Sequence, residues 1–121
     1  MGANNESAED YLETILILSK RLPVVRAVDI VAQLGYRKSS VSTALKHLRE
    51  KELITVEEHG YIFLTEKGNS IASSVYERHD WFTRWLVSLG VDEKTASEEA
   101  CHLEHALSKE SFEAIKRNIP N

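Results

Sequence analysis

The chain contains a single cysteine and no apolar run long enough to span a membrane. One cysteine cannot form an internal disulfide, so Cys101 is a buried small residue, a ligand or a reactive thiol. No positively charged start leads into a hydrophobic segment, and we therefore expect a cytoplasmic protein that does not associate with membranes. At 121 residues the chain is long enough for one compact domain or for two small lobes.

The net charge of −4 is distributed unevenly along the chain. Residues 20–51 contain eight lysines or arginines and only two acidic residues, which gives this segment a local charge of +6. The flanking segments are acidic, with −4 over residues 1–19 and seven basic against thirteen acidic residues over 52–121. A basic segment inside an acidic protein is consistent with local contacts to phosphates, although a solvated charged face would have the same composition.

Apolar periodicity and capping residues predict six helices and one β-hairpin. The first helix is expected over about residues 7–21 and the second over 27–34, where Gly35 ends it. The β-rich runs 53–56 and 61–64 are joined by a turn containing glycine, which predicts a hairpin. The expected N-terminal capping residues are Ser7 for the first helix and, for the third to the sixth, Ser39, Thr65, Asp92 and Ser108.

The second and third helices, with the glycine turn between them, have the pattern of a helix-turn-helix. Val41, Leu45 and Leu48 form the apolar stripe of the third helix, which leaves its small hydroxyl side chains facing outward. Such side chains let a helix approach base edges in the major groove, while lysine and arginine contact phosphates. An ordinary helical hairpin with a polar exterior is the alternative. The expected DNA-binding residues are Arg37, Lys38, Ser39, Ser40, Ser42, Thr43, Lys46 and His47.

Three short segments far apart in the sequence carry side chains that bind metals. Residues three or four apart share a helix face, so each predicted helix presents its donors together. Taken singly, the acidic pair could simply favour a helix N-terminus, the histidine could be packed, and the cysteine could be buried. Their joint occurrence favours a metal site instead. The candidate ligands are Asp10, Glu13, His79, Cys101, Glu104 and His105.

Over nearly all of residues 6–118 the chain resembles the diphtheria-toxin-repressor and manganese-transport-regulator family. The resemblance rests on the segments Ala8-Glu9-Asp10-Tyr11-Leu12-Glu13-Thr14-Ile15, Ser39-Ser40-Val41-Ser42, Leu64-Thr65-x-x-Gly68, Arg78-His79 and Glu99-Ala100-Cys101-x-x-Glu104-His105-x-x-Ser108. It implies a mainly α fold, with a winged helix-turn-helix and β-hairpin wing at residues 1–66 and a helical metal-binding and dimerisation domain at 67–121. It also implies Mn(II) or Fe(II) as co-repressor, bound at the six candidate ligands, with Zn(II) or Co(II) able to bind in vitro.

The chain departs from both branches of that family. Manganese-type members usually have Glu where Cys101 stands, and iron-type members usually have Met where Asp10 stands. Thr83 and Ser97 replace the Glu and His of a second, iron-type site, which argues against that site here. The sequence stops before any C-terminal SH3-like domain, and we therefore expect the shorter, manganese-type architecture.

These observations predict a metal-activated transcriptional repressor without enzymatic activity, which binds operator DNA as a homodimer and controls genes of metal-ion homeostasis. We expect the dimer to form through Trp81, Phe82, Trp85 and Leu89, because their apolar area exceeds what a small lobe buries alone. No organic substrate is expected. The alternatives are a winged-helix regulator that senses a small organic ligand and a carboxylate-bridged metalloenzyme.

Overall fold

In the computed structural model, the backbone of residues 2–120 and the side chains of residues 8–120 are described, and the order of elements is that of a winged helix followed by a helical unit. The elements are α1 (Gly2–Arg21), α2 (Ala27–Leu34), α3 (Lys38–Glu50), β1 (Ile54–Val56), β2 (Ile62–Leu64), α4 (Glu66–Ser88), α5 (Glu93–Ala106) and α6 (Lys109–Asn118). The expected mainly α fold with a hairpin wing is thus confirmed. Across this described part, no helix is both long and apolar enough to cross a bilayer.

The residues divide into two compact units, one ending at Ser73 and the other beginning at Ser74. The helix α4 contributes its first turns to the N-terminal unit and the rest to the C-terminal unit. The domain boundary that we expect between residues 66 and 67 stays a prediction. In the structure, the change from the N-terminal to the C-terminal unit lies further along α4, after Ser73.

The N-terminal unit has one apolar core, built from the inward faces of three helices and the hairpin. Its α2–α3 turn depends on Gly35, whose φ of 71° is left-handed and whose N–H donates to the carbonyl of Val31 at 2.8 Å. This geometry ends α2 and turns the chain into α3. Core members that are almost fully buried include Leu12, Ile15, Val25, Ile30, Val41, Leu48 and Ile54.

Two expected helix starts are wrong. The helix α1 begins at Gly2, so Ser7 lies inside the helix. No proline stands between these two residues to interrupt it. The helix α3 begins at Lys38 with Arg37 as N-cap and no side-chain capping bond, which places Ser39 in the first turn. The hydroxyl of Thr43 donates instead to the carbonyl of Ser39 at 3.0 Å. The expected caps Asp92 and Ser108 are confirmed, since their side chains accept the N–H of the third helical residue.

The wing is a short antiparallel hairpin in which Ile54 pairs with Leu64 and Val56 with Ile62. It is joined to the helix-turn-helix by backbone, because the N–H of Ile62 donates to the carbonyl of Val25 at 2.8 Å. A two-stranded hairpin alone is marginally stable in water. Burial of Ile54 and Ile62 in the core therefore stabilises the wing.

The junction between the wing and α4 is built around Thr65 and Gly68. The Thr65 hydroxyl donates to the carbonyl of Glu52 at 2.8 Å and accepts the N–H of Gly68 at 3.1 Å, while the Thr65 N–H donates to the carbonyl of Leu53. A Cβ at residue 68 would lie only 1.9 Å from the carbonyl oxygen of Leu53. The start of α4 thus packs directly against backbone, which only glycine permits.

The C-terminal unit has a small aromatic core that corrects the expected dimer surface. Trp81 and Phe82 are buried against Phe112, with ring centroids 6.0 and 5.7 Å from it, and Trp85 packs beside them. The aromatic area on α4 is therefore absorbed by the unit itself, because α6 supplies a matching ring. Leu89 is the exception, with 64% of its surface exposed.

We expect Gly68→Ala to destabilise the protein by about 1–3 kcal/mol. Alanine normally favours a helix interior by up to about 1 kcal/mol over glycine, so a loss would show that contact with the Leu53 carbonyl dominates. The measurement is urea unfolding, with Ser70→Ala, an exposed change on the same helix, as control. Equal midpoints for the two variants would contradict the close contact.

Candidate metal centre and nucleic-acid interface

The helix α3 divides into an inward apolar stripe and an outward polar face, as the sequence predicts. Val41, Leu45 and Leu48 are buried, and the helix carries no acidic residue before Glu50. Its outward face is therefore neutral to basic, which suits approach to a phosphate backbone. The exposed side chains include all eight candidate DNA-binding residues, Arg37, Lys38, Ser39, Ser40, Ser42, Thr43, Lys46 and His47.

An exposed aromatic residue, absent from the predicted DNA-binding set, precedes the basic start of α3. Tyr36 is 45% exposed and its ring packs edge-on to that of Tyr11, with centroids 6.0 Å apart. It directly precedes the basic pair Arg37 and Lys38. A tyrosine hydroxyl can donate to a phosphate oxygen, so Tyr36 adds a donor beside two cations. Its position in the turn is the only sequence signal that could have identified it.

The wing tip is acidic and internally bonded. One carboxylate oxygen of Glu57 accepts the N–H groups of His59 and Tyr61, and the other lies 3.2 Å from Nδ1 of His59. Arg26 holds the base of the wing, because its guanidinium donates to the Tyr61 hydroxyl at 3.1 Å and lies over the ring. The acidic side chains thus order the turn, and the tip presents little positive charge to a phosphate.

Three candidate metal ligands come together within the C-terminal unit. His79 from α4 and Cys101 and Glu104 from α5 each offer a donor atom, and these atoms all lie within 4.8 Å of one another. Nδ1 of His79 is 3.0 Å from Oε2 of Glu104 and 3.8 Å from Sγ of Cys101. The spacing of Cys101 and Glu104 places them on one helix face, which the sequence predicted.

Glu104 is the buried member of this group, with none of its surface exposed. Its Oε1 lies 3.2 Å from Nε2 of His105, yet it accepts no hydrogen bond from the described residues. The contact with His105 is therefore an electrostatic one whose orientation does not make a hydrogen bond. A buried carboxylate oxygen without a donor is costly unless a cation compensates it.

The electrostatics of the cluster favour positive charge at its centre. The pKa of His79 is raised to about 10, first by its hydrogen bond with Cys101 and then by that with Glu104, which outweigh burial. The Glu104 carboxylate and the Cys101 sulfur, which hold a proton on the imidazole, would also attract a metal cation, which competes with that proton. A thiol, imidazoles and a carboxylate are the donor types that divalent transition metals accept, so the residues fit such an ion.

Two hydroxyl side chains contact His79, one at its imidazole and one at its backbone carbonyl. Ser97 Oγ lies 3.3 Å from Nε2 of His79, and Thr83 donates to the His79 carbonyl at 2.7 Å. These are the residues that replace the ligands of the iron-type second site. Sequence reasoning treated them as an absence, whereas the structure places both in contact with a candidate ligand. Ser97 could have been found from its spacing, four residues before Cys101 on α5.

The remaining candidates, Asp10 and Glu13, belong to the N-terminal unit. They lie one turn apart on α1, where Asp10 is partly buried and Glu13 is 8% exposed. A charged carboxylate is seldom buried without a partner, and both residues make interactions within the described structure.

Two family models match successive parts of the chain. The family model described as the iron dependent repressor N-terminal DNA binding domain matches residues 5–61, and that described as the iron dependent repressor metal binding and dimerisation domain matches residues 65–120. An uncharacterized HTH-type transcriptional regulator of Methanocaldococcus jannaschii is 40% identical over 93% of this chain and 91% of its own length. The transcriptional regulator MntR of Escherichia coli O157:H7 is 33% identical over 92% of this chain and 72% of its own.

Solved structures give the same result. The manganese regulator SloR aligns with 91% of this chain at a TM-score of 0.80 and 30% identity. A manganese-dependent transcriptional repressor in complex with manganese aligns with 91% at 0.81 and 28% identity. The chain spans about half the length of these two proteins, 52% and 51% respectively. None of the names of these relatives favours an organic-ligand sensor or a metalloenzyme. The chain therefore belongs to the diphtheria-toxin-repressor and manganese-transport-regulator family of metal-dependent, DNA-binding transcriptional regulators.

Proposed function

We propose that this protein is a cytoplasmic repressor that binds operator DNA as a homodimer when Mn(II) or Fe(II) is bound, and that it controls genes of metal-ion homeostasis. The observation that carries the proposal is the convergence of His79, Cys101 and Glu104 within 4.8 Å in a chain whose α3 exposes a polar, basic face. Solved relatives described as manganese regulators support the choice of manganese, and one relative, ScaR, is described with bound zinc.

The proposed ligand set is Asp10, Glu13, His79, Cys101, Glu104 and His105. Carboxylate and imidazole donors suit Mn(II) and Fe(II). Oε1 of Glu104, which is buried and accepts no hydrogen bond from the described residues, is free to bind a cation. An ion bound here would supply positive charge to these donors. Ser97 orients the imidazole of His79, a task that outer hydrogen bonds commonly perform at metal sites.

The ligand set includes residues of both units, and we propose that this is how metal controls DNA binding. Asp10 and Glu13 belong to the unit that contains α3, whereas the other four belong to the unit that matches a dimerisation domain. In a dimer, the two copies of α3 must be separated by one helical turn of DNA, about 34 Å, or a multiple of it. Ligands shared between the units would favour one arrangement, so metal and DNA affinity must enhance each other by the same factor.

The first test removes ligands from both units. We expect Glu13→Gln combined with His79→Ala to abolish the metal-dependent gain in operator affinity, which is about 5–150-fold for typical allosteric couplings. The measurement is fluorescence anisotropy of labelled operator DNA across a Mn(II) titration.

The matched control is Glu99→Gln combined with His102→Ala, the same chemical changes at exposed positions of α5. This control should retain the wild-type gain. A ligand variant that still shows wild-type, metal-dependent tightening on DNA would disprove the proposed coupling between metal and DNA.

For DNA recognition, we propose that Lys46 contacts phosphate while Ser39, Ser40 and Thr43 set base preference. The Thr43 hydroxyl proton is engaged by the carbonyl of Ser39, so Thr43 offers its methyl group and oxygen lone pairs to the groove. A methyl group suits contact with thymine, and serine hydroxyls can donate or accept. Arg37 and Lys38, at the start of α3, add phosphate contacts.

Replacing Lys46 with alanine should weaken binding to all DNA sequences alike, because phosphates carry no base information. The slope of log affinity against log salt should fall by about 1. Lys94→Ala, an equal charge change in the C-terminal unit, should leave the slope unchanged. A changed operator preference with an unchanged slope for Lys46→Ala would reverse the roles assigned here.

We also propose that the Cys101 sulfur shifts metal preference away from Mn(II) and toward Fe(II), Co(II) and Zn(II), because thiolate is a softer donor than carboxylate. Cys101→Glu should therefore increase the affinity for Mn(II) relative to Co(II), measured by competitive titration under anaerobic conditions. An unchanged ratio would mean that the sulfur is not a ligand. Cys101→Ala serves as control, since it retains only the backbone carbonyl.

A further inference from the structure

Arg78, the residue before His79, ties α4 to the end of α5. One terminal nitrogen of its guanidinium donates to the carbonyl of Glu104 at 3.0 Å and to that of Leu107 at 3.1 Å. Leu107 is the C-cap of α5, and Glu104 lies in the helix's last turn. A single side chain thus holds two carbonyls at one helix end.

The carbonyls of a helix's last turn have no partner within the helix, and a cation placed there also interacts favourably with the helix dipole. Arg78 supplies both the donor and the charge. The turn that it secures contains two proposed metal ligands, Glu104 and His105. The residue that follows Arg78 in α4 is another proposed ligand, His79. The distance from the His79 imidazole to the Glu104 carboxylate is therefore fixed through the backbone as well as through their hydrogen bond.

Stability alone does not account for an arginine at this position. Its Nε is buried and makes no hydrogen bond to any of the described residues, which has a desolvation cost. Its guanidinium lies 5.7 Å from the centroid of the Phe112 ring. Lys116 also places a cation over this ring, with its ammonium 5.2 Å from the centroid. What distinguishes Arg78 from Lys116 is its contact with the end of α5.

We propose that Arg78 is a positioning residue for the metal centre, which holds the last turn of α5 so that the carboxylate of Glu104 faces the His79 imidazole. This inference rests on the proposed function. Arg78 touches no donor atom of the cluster in its hydrogen bonds; it acts through the main chain of a ligand. Both bonds leave one terminal nitrogen, and the plane of the guanidinium fixes the directions of its two N–H groups, which the freely rotating ammonium of lysine does not.

The test measures Mn(II) affinity by calorimetry for Arg78→Met and Arg78→Lys, together with amide hydrogen exchange of the metal-free proteins. Arg78→Met should lose about 10–100-fold in affinity, as for other residues that orient metal ligands, and Arg78→Lys should lose less. In the metal-free protein, amides in the last turn of α5 should exchange faster in Arg78→Met, because that turn has lost its cap. Exchange in the core of α4 should not change.

Lys116→Met is the matched control, since it removes a cation over the same Phe112 ring and breaks the pair with Glu77 without contact to α5 carbonyls. It should bind Mn(II) as the wild type does. Equal affinity in Arg78→Met and the wild type, or an equal loss in Lys116→Met, overturns the inference while the proposed function stands. If Arg78→Met does not fold, wild-type affinity and exchange in Arg78→Lys together overturn it. Failure of the wild-type protein itself to bind Mn(II) would overturn the proposed function, and the inference with it.

Discussion

The carboxylate of Glu104 imposes the constraint around which the C-terminal unit is organised. A side chain with none of its surface exposed carries a group that prefers to be charged, and leaving such a charge uncompensated in a protein interior costs several kcal/mol. One carboxylate oxygen lies 3.0 Å from Nδ1 of His79, and the other lies 3.2 Å from Nε2 of His105. The raised pKa of His79 is the counterpart of the same arrangement, because its hydrogen bonds with Cys101 and Glu104 stabilise the imidazolium. This place in the fold therefore favours positive charge.

In the N-terminal unit, the candidate DNA-binding residues lie on an exposed surface, and the apolar core beneath it holds α3 in place. The inward stripe of α3 is apolar and buried, while the outward face keeps short hydroxyl side chains and isolated cations. Backbone bonds hold the parts in place, since the wing is joined to the preceding loop at Val25 and α4 begins in contact with the carbonyl of Leu53. The exposed face of α3 and the buried face that holds the helix in place therefore consist of different residues. The exposed side chains can change without disturbing the core.

The sequence predicted the elements of the fold well wherever a local signal was sufficient. The glycine after α2, the hairpin and the capping side chains of Asp92 and Ser108 each follow from one residue's chemistry, and each appears in the structure. The predicted starts of α1 and α3 were wrong because a serine that can cap a helix is also tolerated inside one. The outward face of α3 was predictable for the same local reason, as its periodicity alone separates buried from exposed positions.

Features that depend on a second element could not be read from the sequence. Trp81 and Phe82 were expected at a dimer surface because nothing in α4 reveals that Phe112, thirty residues later, covers them. Ser97 replaces a ligand of the iron-type site, and only its distance to His79, on another helix, shows that it contacts a candidate ligand. The bonds of Arg78 to the end of α5 likewise join residues 26 and 29 positions apart, which no local pattern predicts. The donor types of the candidate site were predictable, but the residues that hold those donors in place were not.

The graded exposure of the three clustered donors has a kinetic consequence. Cys101 is open to solvent, His79 is partly covered and Glu104 is enclosed, so the sulfur is the most accessible of the three donor atoms. A metal ion held at the proposed site would therefore exchange with small chelators in the surrounding solution past the residue at position 101.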